Sequence, residues 1–297
     1  MTYRKQLMIG MHDTGKSTFI GALYHVVESG QVEDSLQLVD LGDNRAYLVE
    51  KRDEWLGCRE IDRTKLGEEQ VLTLKLRDTH TGQITELVLP DVSGETFRDQ
   101  WEERRSTKVF DDLARQADAV LLFIHPDTVK EPVRINQNKE VAAILEEDDG
   151  NTAQPDGPSP EAQNIAQVKW HPKFAPTQVQ LIEVLQFLLR EPHVYSLSRI
   201  AVIVSAWDLV KDDYDSPTAW LSKRLPMLYQ FLKANSDRIS FKVFGVSAQG
   251  GQLGKDDAKM LGKIRQAERI EVVTDRDGEY SKHDITAPIK WLMTTAE

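Results

Sequence analysis

Gly10-Met11-His12-Asp13-Thr14-Gly15-Lys16-Ser17-Thr18 lies between an apolar run, Leu7-Met8-Ile9, and a helical pattern of Phe19, Ile20, Ala22, Leu23, Val26 and Val27. Strand, glycine-bounded loop, Lys-Ser and helix is the context in which a backbone loop cradles phosphate. Gly10 and Gly15 allow the chain to curl so that successive N–H groups turn inward. Residues Gly10 to Thr18, including His12, Asp13 and Thr14, are therefore candidates for binding nucleotide phosphates. In such a loop the Lys16 ammonium meets the β- and γ-phosphates, and the Ser17 hydroxyl is placed to hold Mg2+.

Working outward, residues 4–9 read as a strand and 16–28 as a helix. Leu36, Leu38, Val39 and Leu41 suggest a short strand, and 44–56 a helix. Gln70 to Arg77 alternates with period two, turns at 78–83, and returns through Ile84 to Leu89 as a hairpin. A charged helical stretch, 96–117, leads to Ala119-Val120-Leu121-Leu122-Phe123-Ile124-His125-Pro126, a buried central strand. Residues 127–176 carry Glu146-Glu147-Asp148-Asp149 and prolines that include Pro155, Pro158, Pro160, Pro172 and Pro176, the composition of an inserted, partly disordered loop. Trp170 and His171 inside it are candidate anchors for that loop.

Gln178 to Arg190 has a helical apolar stripe, and Ile200 to Val204 reads as a buried strand. A helix over 217–235 should bend at Pro226. Phe241 to Val246 reads as the last core strand, 268–280 as a short hairpin, and 285–294 as a closing helix. Alternating strands and helices predict a doubly wound, mostly parallel α/β sheet with an antiparallel edge strand. The expected organisation is one domain over 1–297, with an insertion at 127–176 and a C-terminal extension at 251–297.

Lys+Arg 37 against Asp+Glu 48 leaves a net charge of −11, which disfavours direct contact with nucleic acid or anionic membrane. The lone cysteine, Cys58, excludes an internal disulfide and fits a reducing cytosol, so a cytoplasmic location is expected. The first strand begins almost at once, so no signal peptide is expected, and no apolar run is long enough to span a bilayer.

Further candidates sit at the ends of the later strands. Asp91 can accept from Mg2+-bound water, and the Gly94 N–H can face a γ-phosphate. Asp208 can accept two N–H groups from a guanine edge, while Ser247-Ala248 can offer backbone donors to O6. A parallel sheet gathers ligand groups at its carboxyl ends.

These residues resemble the Ras-like, translation-factor-class P-loop GTPases over 4–125 and 198–250. Gly10 to Ser17 is similar to the phosphate loop, Asp91 to Gly94 to the third motif, Asp208 to the fourth and Ser247-Ala248 to the fifth. The resemblance implies GTP/GDP and Mg2+ as ligands, and makes Thr64 the switch threonine on the metal, with Ser17 and Asp91. It also implies a slow GTP phosphohydrolase acting as a switch on effector or regulatory proteins. The Asp-x-Ser-Gly-Glu sequence is similar to bacterial double-GTPase proteins linked with conflict or defence systems.

Three departures bear on the chemistry. The fourth motif, commonly Asn-Lys-x-Asp, is Ser205-Ala206-Trp207-Asp208. Trp207 offers either a stacking face for the base or a packed loop side chain. Glu95 occupies the place of a water-orienting glutamine, where its charge repels a γ-phosphate, which implies slow hydrolysis; a surface pairing with Arg98 is the alternative. His12 and Asp13 replace small residues; His12 either blocks an incoming arginine or faces the γ-phosphate. Arg59 and Arg63 flank Thr64 and are candidates for an arginine in cis. Three readings follow: a GTP-hydrolysing switch, a hydrolysis-deficient assembly module, and a P-loop ATPase or small-molecule kinase.

Overall fold

The computed structural model describes residues 4–59, 71–90, 101–132, 175–190, 197–251, 259–276 and 278–294. Thr64, Asp91, Gly94, Glu95, Arg63, Arg98, Trp170 and His171, with most of the 127–176 insertion, lie outside them.

The first apolar run becomes β1 (Arg4–Gly10), and the helix that follows the loop is α1 (Lys16–Ser29). Next come β2 (Gln37–Asp40), α2 (Arg45–Leu56), and the hairpin of β3 (Leu72–Arg77) and β4 (Ile84–Leu89). A helix α3 (Lys108–Ala114), capped by the Thr107 side chain, precedes β5 (Ala119–Ile124), every residue of which is buried. Beyond the insertion are α4 (Thr177–Leu189), β6 (Arg199–Ser205), α5 (Pro217–Arg224) and α6 (Pro226–Ala234). The chain then forms β7 (Ser240–Ser247), β8 (Glu271–Val273) and α7 (Ala287–Met293).

Among the described residues eight strands make one sheet in the order β2-β3-β4-β1-β5-β6-β7-β8. The block from β4 to β7 is parallel. Antiparallel pairing occurs at both margins, through β2-β3-β4 on one side and β7-β8 on the other. The predicted doubly wound class holds, with antiparallel strands at two edges rather than one.

The period-two alternation of the central strands sorts side chains between two layers. Met8, Leu121, Phe123, Ala201, Ile203 and Phe244 join α1, α2 and α7 in one apolar cluster. Leu7, Ile9, Val120, Leu122, Val202 and Val204 join α3 to α6 in the other. β1 is flanked by β4 on one side and β5 on the other, and successive connections lie to either side of it, so a crevice opens beyond the carboxyl ends of these strands.

Two expectations are corrected. Pro226 does not bend one helix but starts a second. Leu225 leaves the helical region at φ −132°, ψ 58°, because the residue before proline is pushed out of it. The segment near 271 is not an isolated hairpin: the chain returns beside it, with the Val272 N–H donating to the Lys282 carbonyl at 2.7 Å, but its strand also joins the main sheet. Its three residues pair antiparallel with β7, through Gly245–Val273 to Ser247–Glu271, and extend the main sheet.

Candidate functional site

Gly10 closes β1 where there is no room for a side chain. A Cβ there would lie 2.8 Å from Thr14 Oγ1 and 2.9 Å from both Phe123 Cβ and the Phe123 carbonyl oxygen. Asp13 and Gly15 then take positive φ, 56° and 82°, which turns the chain sharply into α1. Thr14 Oγ1 donates to the Met11 carbonyl at 2.8 Å and holds the curl. Gly15 is the N-cap of α1 without a side-chain cap, and the first turn carries no acidic residue. The N–H groups of a 14-residue helix thus face the loop, together with the positive end of its dipole.

Lys16 is 4% exposed. Its ammonium donates to the carbonyls of Gly10 and Met11, both at 2.7 Å, and lies 3.2 Å from Thr14 Oγ1. Three oxygens of its own loop keep a buried cation solvated, as burial of a charge requires. Ser17 and Thr18 follow in the first turn, half-buried. His12 Nδ1 lies 2.7 Å from Asp13 Oδ2, so the imidazole is turned to its sequence neighbour at the loop's edge.

The opposite wall comes from the ends of β5, β6 and β7. Ser205 ends β6; its hydroxyl donates to the Ile124 carbonyl at 3.2 Å and lies beside Gly15, where a Cβ would sit 3.2 Å away. That contact braces the phosphate loop against β6. Ala206 adopts φ 46°, an unusual value for a residue with a Cβ, and sends the chain into a short 3-10 turn over 207–209. Asp208 in that turn accepts a hydrogen bond from the Ser247 hydroxyl. Ser247 Oγ in turn accepts from the Gly250 N–H at 3.2 Å. The fourth and fifth candidate segments are thereby joined side chain to side chain.

A cavity of about 270 Å3 lies between these walls. Gly15 and Thr18 border it from the phosphate loop, and Asp208, Ser247 and Ala248 from the far side. Phe19 and Phe123, in edge contact at 5.1 Å between centroids, supply an apolar surface between them. Polar groups at both ends of an apolar slot suit a ligand that is charged at one end and aromatic at the other.

Trp207 is not among the residues lining this cavity. It is 4% exposed and belongs to the β-sheet cluster on the α4–α6 side. A Cβ at Gly245 would come within 2.6 Å of its ring, so the packed alternative describes its position.

His125 and Gln249 are two of the lining residues that carried no motif in the sequence. His125 follows β5 and accepts from the Asp127 N–H on Nδ1 at 3.2 Å. Burial holds its pKa below the ordinary histidine value, against the opposing pull of Asp127, Asp208 and Asp13. Gln249 is buried one residue beyond Ala248. The signal for both was their place at a strand's carboxyl end.

Among the described residues no group of three or more His, Cys, Asp or Glu could hold a metal ion. Ser17 is the described member of the expected Mg2+ set, and its half-buried hydroxyl at the α1 N-terminus suits an ion that keeps several waters. No helix among the described residues is long and apolar enough to cross a membrane.

No curated protein matches the chain. Solved structures similar to it include the bacterial selenocysteine-specific elongation factor EF-Sec, at 14% identity and TM-score 0.35, covering 88% of this chain and 28% of that one. The Ski7 GTPase-like domain of S. cerevisiae, bound to GTP, is similar at 12% identity and TM-score 0.41, covering 99% and 51%. The signal recognition particle receptor SRb-GTP/SRX complex from Chaetomium thermophilum is similar at 12% identity and TM-score 0.38, covering 89% and 99%. The chain thus spans 28% and 51% of the first two. The sequence profile of the family described as Double-GTPase 1 matches residues 7–292, and the chain belongs to that family.

Proposed function

We propose that the protein is a guanine-nucleotide switch that binds GTP with Mg2+ and hydrolyses it slowly to GDP. The observation that carries this reading is one cavity bordered by Gly15 and Thr18, which flank Lys16 and Ser17, at one end and by the Asp208–Ser247 pair at the other. Phosphates at the α1 N-terminus draw the Lys16 ammonium from the Gly10 and Met11 carbonyls onto phosphate oxygens. The aromatic base lies against Phe19 and Phe123, and the Asp208 carboxylate accepts from its N–H edge.

Ser17, with Thr64 and Asp91 outside the described residues, would hold Mg2+, which neutralises charge on the β- and γ-phosphates when bound. Gly94 and Glu95 serve the γ-phosphate and the attacking water. The carboxylate of Glu95 accepts from water yet repels the phosphate, which makes turnover slow. His12 and Asp13 stand at the loop's outer edge. In this reading residues 1–297 form one GTPase domain with a 127–176 insertion and a 251–297 extension, and the signal passes in the cytoplasm to an effector or regulatory protein, in a bacterial conflict or defence setting.

Ser205-Ala206 in place of Asn-Lys, together with Glu95, favours a second reading: GTP held without turnover as an assembly cue. Phosphate release from GTP-Mg2+ over hours separates the two. Slow, stoichiometric conversion to GDP supports the switch. Retained, uncleaved GTP supports the assembly module, and turnover of ATP in preference to GTP overturns both.

A further inference from the structure

His125 and Asp127 both line the cavity, just beyond the end of β5. His125 is half-buried and Asp127 exposed. Nδ1 of His125 accepts from the Asp127 N–H at 3.2 Å. A main-chain N–H can only donate, so Nδ1 carries no proton and the neutral ring bears its N–H at Nε2. Burial favours that neutral form by lowering the pKa of the ring. Among the described residues Nε2 has no hydrogen-bond partner, and it is not one of the buried side-chain atoms left without one. The donor therefore keeps open surface. The Asp127 carboxylate likewise has no partner among the described residues.

Two further charges place this pair along the slot. Behind burial and Asp127 itself, Asp208 and Asp13 both act on the His125 ring. Asp13 belongs to the phosphate loop and Asp208 to the turn at the far end, so the ring stands between the two ends of the cavity. In a nucleotide, the part between the phosphates and the base is the ribose.

We propose that His125 and Asp127 are ribose-binding residues: the His125 Nε2–H donates to a ribose hydroxyl oxygen, and the Asp127 carboxylate accepts from a ribose O–H. The inference rests on the nucleotide reading of the cavity. A hydroxyl donates and accepts at once, and this pair offers one group of each kind. A carboxylate repels phosphate, so a hydroxyl is the part of the ligand that Asp127 suits. The Asp127 N–H fixes the tautomer of the ring before any ligand arrives, which lowers the ordering cost of binding.

The test is calorimetric titration of the full chain with GTP-Mg2+ and with dideoxy-GTP-Mg2+, which lacks both ribose hydroxyls. Asp127→Ala removes an exposed carboxylate and keeps the main-chain N–H. His125→Asn keeps an acceptor for that N–H and has no group that reaches as far as Nε2. We expect the wild type to bind GTP at least about tenfold more tightly than dideoxy-GTP. Each variant should lose most of that preference by weakening GTP alone, with dideoxy-GTP bound as by the wild type. A merely structural role would weaken both nucleotides alike. Equal binding of the two by the wild type, or an equal loss of both in the variants, overturns the ribose assignment and leaves the nucleotide reading standing. Failure of the folded wild type to bind GTP overturns both.

Discussion

The indole N–H of Trp55, on α2, donates to the main-chain carbonyl of Ala248 at 2.8 Å, although 193 residues separate them in sequence. This bond ties the helix packed on α1 to the loop that faces Asp208. Trp55 is fully buried, and its ring also meets His25 at 5.2 Å between centroids. Trp55→Phe keeps an aromatic ring and removes the donor. We expect a loss of about 1–3 kcal/mol of stability, from the unpaired carbonyl and the smaller ring, read by chemical denaturation. GTP affinity should fall with it. An unchanged denaturation midpoint would contradict this role.

Asp208→Ala removes the carboxylate that receives the Ser247 hydroxyl. Discrimination of GTP over ATP should fall roughly a hundredfold, since hydrogen bonds to a charged acceptor are lost at a desolvated edge. Competition binding with both nucleotides measures it, and unchanged discrimination would reassign the base pocket.

Gly245 supports Trp207 from the neighbouring strand. Adding one methyl in Gly245→Ala places it 2.6 Å from the indole and 2.8 Å from the Val273 side chain. Overpacking of this kind costs about 1–3 kcal/mol. The melting temperature should drop by several degrees, and a silent substitution would show that the loop yields freely.

Stability should also depend on pH through His25, which is buried, and His125, which is half-buried. Burial lowers the pKa of His25 and of His125 from the usual 6.5. For His25 a Gln31 contact and Glu28 work against this, and Arg269 and Arg52 add to it. With the folded value below the unfolded one, the unfolded chain binds more protons, so stability is full above 6.5 and falls as pH drops below it. Melting across this range should show the decline, and His125→Gln should make it shallower. A flat profile would contradict the lowered pKa of the two histidines.

What the sequence revealed was what local chemistry encodes. Gly10, Gly15 and Lys16 form a contiguous motif, and β5 and β6 are apolar runs with few alternative readings. Asp208 and Ser247 were legible because each ends such a run. Trp207 was undecided because the deciding partner, Gly245, stands on another strand. His125 and Gln249 carried no motif; the fold alone brings them beside Asp208. β8 is too short for periodicity, and its pairing with β7 depends on the sheet's edge. The break at Pro226 was located correctly, but the conformation of Leu225 decided between bending and ending the helix.

Equilibrium binding of GTP, GDP and ATP with Mg2+ to the wild type and to Lys16→Ala tests the central claim most directly. Lys16 donates to the Gly10 and Met11 carbonyls at 2.7 Å and is the one lysine or arginine between Gly10 and Thr18. The account predicts that the wild type binds GTP and GDP well above ATP, and that Lys16→Ala loses at least about a hundredfold in affinity while remaining folded. GTP held equally tightly by Lys16→Ala, or ATP preferred by the wild type, would contradict it.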